Sequence, residues 1–237
     1  MSFGIIKYGD SPKAGVKNCL NQLLGFKLDT LQMANPVRYY YSAYSAYAYI
    51  GHQYFEKIVK DSGRHIDHRP FNLIKCVNSV GSQPLSDRTG ASLKYHFQRQ
   101  CDRWSEFRNV EMPRQTPRSH SNAADLADRI LIAGIFSDIN IDQLAFKFML
   151  SHWTRNTDLT NENQIKEILV SKNFNAEELL KMASTKKIKD TYEQNTEKAI
   201  ALSVFGSPTY FVDEDMFYGQ DNLELVERAL KRPFKKS

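Results

Sequence analysis

The stretch Val204-Phe205-Gly206-Ser207-Pro208-Thr209-Tyr210-Phe211-Val212, followed by Met216-Phe217-Tyr218-Gly219-Gln220-Asp221, decides the fold. A small residue and a proline open a run of β-branched and aromatic residues. The chain therefore enters a strand through an X-Pro bond of the kind that can be cis, and it leaves by a turn. A cis proline at a strand start turns the N–H and C=O of the preceding residue outward, where an extended peptide can pair with them as an added strand. Taken alone, the same residues also suit an ordinary edge-strand proline, and the rest of the chain has to decide between the two.

Working outward, Pro36-Val37-Arg38-Tyr39-Tyr40-Tyr41 reads as a strand and Ser42 to Ser45 as a turn. Ala46 to about Ser62 then reads as a helix with Ser45 at its N-terminus. Ile66 to Phe71, closed by Pro70, reads as a second strand, which completes a β-α-β unit with a parallel pair. Before it, Val16, Leu20, Leu23, Leu24, Phe26 and Leu28 recur at helical spacing and predict an amphipathic leader over residues 1–35. Between residues 87 and 202 the apolar spacing is helical almost throughout, in segments that include Leu93–Phe107, Ala123–Phe136, Ile141–Thr154 and Ile188–Val204. Sheet residues return with Pro208, and Asn222–Leu230 is an apolar-striped helix for which Asp221 is a candidate N-cap. The division is a leader (1–35), a sheet domain from both ends of the chain (36–86 and 203–233) and a helical insertion domain (87–202).

The 237 residues can bury a sizeable core, and no apolar run is long enough to cross a bilayer. The N-terminus has no signal-peptide pattern, so the expectation is a soluble, cytoplasmic protein without membrane contact. Three widely separated cysteines, Cys19, Cys76 and Cys101, suggest neither a disulfide framework nor a zinc site. The net charge of +5 is spread among interleaved acids, which argues against nucleic acid as a partner. His65 and His68 stand three apart on a strand and hence on opposite faces, so no metal site is expected. His96 is a candidate acid or base near neutral pH, although a packing or surface role suits it as well. Most of the aromatic crowd Tyr39 to Phe55 belongs to core, but Tyr44 and Tyr47 bracket Ser45 and suit the walls of an apolar pocket. Trp104 and Arg103 from the insertion would close that pocket, with the arginine suited to a substrate carboxylate.

The ordered set Tyr39-Tyr40-Tyr41-Ser42-Ala43-Tyr44-Ser45-Ala46-Tyr47-Ala48-Tyr49, Arg69-Pro70-Phe71-Asn72-Leu73, Arg103-Trp104, Phe205-Gly206-Ser207-Pro208-Thr209 and Tyr218-Gly219-Gln220-Asp221-Asn222-Leu223 resembles the kappa-class glutathione transferases and 2-hydroxychromene-2-carboxylate isomerases. The resemblance covers about residues 36–232. It implies an α/β, DsbA-like thioredoxin fold with a large all-helical insertion between the βαβ and ββα halves. It also implies glutathione as cofactor, a conjugated aromatic small molecule as substrate, and a homodimer. By resemblance Ser45 is the catalytic serine that holds the glutathione sulfur. A hydroxyl at a helix N-terminus suits this chemistry, because the hydrogen bond and the helix dipole both favour a thiolate. Ser207, Pro208, Gln220 and Asp221 fall on glutathione-binding positions, and Ser82 beside Gly81 falls where relatives carry an asparagine.

The chain departs from the family at Ala46 and Ala48, which replace a proline and a second hydroxyl, and at His96 and Gln100 in the insertion. These departures keep a second reading open, a thioredoxin-fold binding protein with a peptide or small-molecule groove and no chemistry. A disulfide oxidoreductase is not expected, because Ser45 and Ala48 stand where such an enzyme needs Cys-X-X-Cys.

Overall fold

The computed structural model describes residues 35–82 and 87–235. The leader expected over residues 1–35 therefore lies, apart from Asn35, outside the described residues.

Strand β1 (Val37–Tyr41) is buried at every position but Arg38. It is central in the sheet and has helices on both faces, so its sequence reads as a continuous apolar run and not as an alternation. Helix α1 (Ala46–Asp61) follows, and Ser45 caps it by accepting a hydrogen bond from the Ala48 N–H at 3.3 Å. Strand β2 (Ile66–Pro70) pairs parallel with β1, with Val37 opposite Ile66 and Tyr41 opposite Pro70. A short helix, α2 (Leu73–Ser79), capped by Asn72, comes next and was not anticipated from the sequence.

The insertion contains α3 (Gly90–Lys94), a π-helical stretch (Tyr95–Arg99) and α4 (Gln100–Arg108). A 3₁₀ turn (Arg118–Ser121) then leads into α5 (Asp125–Phe136) and α6 (Asp142–Arg155). Helices α7 (Glu162–Val170), α8 (Ala176–Ala183) and α9 (Lys186–Ala201) complete it. Strands β3 (Thr209–Val212) and β4 (Asp215–Tyr218) close the sheet in the order β2-β1-β3-β4, with β3 antiparallel to both of its neighbours. Helix α10 (Leu223–Lys231) is the last element of the described residues. The βαβ and ββα halves joined through a helical insertion are thus present as expected.

Two local expectations need correction. The helix expected over Leu93–Phe107 is split by the π-helical stretch, which widens the chain one turn before Cys101. Asp221 does not cap the last helix. It lies within a 3₁₀ turn (Gln220–Asn222) and Asn222 takes the cap position without a side-chain bond. The cause is Gly219, whose φ of +92° folds the turn so tightly that a Cβ there would meet Asp221 Oδ1 at 2.3 Å.

One buried core runs from Tyr39, Tyr41, Phe55 and Tyr210 around the sheet to Ile130, Leu131, Phe148 and Leu169 of the insertion. The rings of Tyr39 and Tyr41 stack at 4.1 Å, and those of Tyr39 and Tyr210 at 5.3 Å. Most of the aromatic crowd is therefore structural. A smaller cluster of Tyr40, Phe71, Cys76, Val204 and Phe211 fills the other face of the sheet.

Candidate active site

Ser45 stands at the N-terminus of the 16-residue helix α1, where the dipole favours negative charge. It is 7% exposed, and its hydroxyl donates to the Ser207 carbonyl at 2.9 Å while accepting from the Ala48 N–H. The Ser207-Pro208 peptide is cis. Ser207 Oγ accepts from the Ser42 N–H at 3.1 Å, so the β1–α1 turn and the proline loop are tied to each other twice. Gly206 lies close to Tyr218, since a Cβ there would sit 3.0 Å from the phenol and would need the ring to shift.

Behind the turn lies a carboxyl that the sequence reading missed. Asp128 on α5 is fully buried and accepts from Ser42 Oγ at 2.6 Å and from the Ala43 N–H at 2.8 Å. Burial pushes its pKa up to about 8 against the lowering effect of those two donors.

Around Ser45, Tyr47 donates its hydroxyl to the His96 carbonyl, which also takes the Cys101 thiol at 3.6 Å. This contact fastens the π-helical stretch over the start of α1. The His96 side chain itself is exposed. Burial raises the Tyr47 and Tyr218 phenols, and the Asp221 carboxylate adds a smaller push to both. Asp221 is exposed. Ser82 donates to the Phe205 carbonyl at 3.2 Å and so flanks the proline loop. Tyr44 packs on His120 with ring centres 5.2 Å apart, and burial raises its phenol. His120 bonds His152 at 2.9 Å, and burial followed by the His152 charge lowers its pKa to about 4.

Not every residue picked from sequence reaches this place in the expected way. Gln220 is wholly buried, and its Oε1 accepts from Arg108 Nε at 3.4 Å, so it supports the turn from within. Arg103 is exposed and donates to Gln100 at 3.0 Å. The arginine that packs inward is Arg108, whose side chain is 6% exposed. Its guanidinium pairs with Glu224 at 2.6 Å and lies 4.2 Å from the Tyr54 ring centre and 5.3 Å from that of Trp104. Trp104 is partly buried against the main core.

A family model for the DsbA-like thioredoxin domain matches residues 36–231. The chain belongs to the DsbA-like thioredoxin family. A 2-hydroxychromene-2-carboxylate isomerase from Pseudomonas putida is 21% identical over 198 residues, covering 83% of this chain and 94% of the relative. Glutathione S-transferase kappa 2 from Caenorhabditis elegans is 22% identical over 215 residues, covering 84% of this chain and 93% of that protein. Among solved structures, a 2-hydroxychromene-2-carboxylate isomerase superposes with a TM-score of 0.69 at 19% identity, covering 84% of this chain and 95% of that one. Within this DsbA-like family, the relatives' names are those of 2-hydroxychromene-2-carboxylate isomerases and of a kappa-class glutathione transferase.

A different kind of place lies along the C-terminal half of α1. There a groove of about 1230 Å³ is lined by Glu56, Lys60, His65, His68, Arg69 and Asp142, among others. His68 is buried, and its Nδ1 accepts from Tyr41 OH at 2.9 Å while Nε2–H donates to Asp142 Oδ1 at 2.6 Å. Burial keeps the His68 pKa low against the pull of Asp142, so the neutral ring satisfies both partners. His65, just before β2, is exposed. Among the described residues, no three His, Cys, Asp or Glu side chains gather as a metal site, and no helix is long and apolar enough to cross a membrane.

Proposed function

We propose that this protein is a glutathione-dependent enzyme, an isomerase of the 2-hydroxychromene-2-carboxylate type or a kappa-class transferase, acting on conjugated aromatic substrates. The observation that carries the reading is the Ser45 hydroxyl at the head of α1, 2.9 Å from the carbonyl of the residue before a cis proline. Ser45 would hold a thiolate by donating to it, and the helix N-terminus would favour its charge. The cis peptide at Ser207-Pro208 suits pairing of an extended peptide with the Ser207 backbone, and the exposed Asp221 carboxylate suits an ammonium group. Bound glutathione supplies the chemistry as a thiol nucleophile toward a conjugated acceptor. The residues around it would hold the two reactants together, with Tyr47 and Tyr218 as apolar walls. The relatives named as isomerases and as a kappa transferase support the class of reaction, and the choice between the two reactions belongs to this proposal.

A second reading, a binding groove without chemistry, draws on the same serine. Its hydroxyl is already engaged by Ser207, and Ala46 and Ala48 offer no further side-chain donor. Calorimetry of reduced glutathione with wild-type protein and Ser45→Ala, with thiol titration by ultraviolet absorbance on both complexes, separates the two. The enzyme reading expects binding with a depressed thiol pKa that returns toward its free value of about 8.5 in the variant. Failure to bind at millimolar glutathione, or an unshifted thiol, sinks it.

A further inference from the structure

We propose that Asp128 is a positioning residue of the candidate active site, reaching from the helical insertion to fix the turn that carries Ser45. The inference rests on the reading of Ser45 given above for its functional half, while its structural half stands on contacts alone. Asp128 belongs to α5, 86 residues away from Ser42 in sequence. Both of its oxygens are engaged on the β1–α1 turn, Oδ2 by the Ser42 hydroxyl at 2.6 Å and Oδ1 by the Ala43 N–H at 2.8 Å. Ser42 passes the constraint on in two directions. Its N–H donates to Ser207 Oγ at 3.1 Å, and its carbonyl accepts from the Ser45 N–H at 3.0 Å. One carboxyl thus reaches both sides of the site, the helix head and the proline loop, through a single intervening residue.

A carboxyl with no exposed surface is an expensive way to fill space, and an apolar side chain of similar volume would stabilise the core better. What the acid adds is direction, because two hydrogen bonds aimed from one rigid helix fix the turn where apolar contact would let it slide. The titratable groups facing it supply no cation. They are Asp125 from the same helix, Tyr192 from α9 (which donates to Asp125 at 3.0 Å), Tyr44 from the turn and Tyr41 from β1. Burial without a facing cation therefore holds the pKa of this acid up, at about 8.

The test uses the full chain with Asp128→Asn, which keeps the shape and removes the titrating proton, and with Ser42→Ala as a second variant. Amide exchange and amide shifts are read by NMR, and glutathione binding by calorimetry. Above the midpoint, where the acid is ionised and both oxygens accept, Asp128→Asn is expected to speed exchange at Ser42 and Ala43 about tenfold with α7 amides unchanged, because one acceptor of the pair is lost. In wild type the Ala43 amide shift should titrate with a midpoint near 8, and this step should vanish in Asp128→Asn. Should that variant not fold, Ser42→Ala decides: loss of its hydroxyl should move the midpoint upward, and an unchanged midpoint overturns the proposal. Glutathione should bind Asp128→Asn about tenfold more weakly, with the thiol pKa moved toward the free value. Wild-type exchange at Ser42 and Ala43 in Asp128→Asn, or equal binding by both proteins, would also overturn it. If the amide results hold but wild type binds no glutathione, the placement by Asp128 stands and the reading of Ser45 falls instead.

Discussion

The two ends of helix α1 are built on opposite plans. At its N-terminus, Ser42, Ser45 and Asp128, all buried, close on one another and on the half-buried Ser207. Toward its C-terminus, a groove of about 1230 Å³ is lined by charged and imidazole groups, several of which find partners within the wall: His68 with Asp142, Arg69 with Asp67, Lys57 with Asp61. Cavity size alone would send attention to the second end. Chemistry points to the first, where hydroxyls meet a helix terminus and an acid lies buried, whereas several charged groups of the groove are paired with one another. In this molecule the open space marks structure and the closed corner marks the candidate reaction.

His68→Ala tests the contrast most severely. It strands the Tyr41 hydroxyl in a fully buried position and leaves a cavity, at a cost of about 2–4 kcal/mol. Urea unfolding should show that loss while glutathione affinity stays within about twofold, since no bond of this network runs to Ser45. A parallel fall in affinity would join the two ends and break the comparison.

Smaller, and spread over pH, is the effect of the groups that burial displaces. Asp128 keeps its proton to about 8 when folded but loses it near 4 when unfolded, so its contribution falls as pH rises through that window, by about 1.4 kcal/mol per pH unit. His120, His152 and His68 are pushed down by burial and bind protons more readily unfolded, so their contribution is lost as pH falls below about 6.5. Three imidazoles outweigh one carboxyl on the acid side. Thermal melts should therefore peak near pH 6.5, and Asp128→Asn should flatten the limb between about 6.5 and 8 while steepening the acid limb that the carboxyl had opposed, which assigns the alkaline fall to the site end of α1.

The smallest effect belongs to the far end. Arg64 meets Asp213 through two bonds of 2.9 and 2.8 Å with both side chains partly exposed, so Arg64→Ala should cost about 0.5–1 kcal/mol and lessen with added salt. A loss several times larger in chemical denaturation would mean that the groove wall is less solvated than its exposure implies.

Much of this was legible in the chain because its signals are local. Four apolar and aromatic residues among the five before Ser42, an apolar-striped helix after Ser45, and a small residue and proline before Thr209 each announce an element within a dozen residues. Asp128 and Arg108 were not legible, because each finds its partners more than 80 residues away and looks like an ordinary helix charge in isolation. One signal for Asp128 was present: it lies in the stripe of Ala124, Ala127 and Leu131, where a lone acid needs a buried partner. For Gln220 the surrounding motif was visible but the side-chain direction was not, since Gly219 and not residue type sets which way the turn folds. The π-helical stretch had no sequence mark beyond an unbroken helical pattern.

A hydroxyl has a single proton to give, and Ser45 gives its proton to the Ser207 carbonyl. Any ligand that takes it over must offer a better acceptor than a neutral carbonyl. A thiolate meets that demand through its charge, whereas a thioether, with a weak neutral sulfur, does not. On the proposed reading, the Ser45–Ser207 bond is a discriminator between ionised reactant and alkylated product. It opens for the first, and by reforming it helps the second to leave.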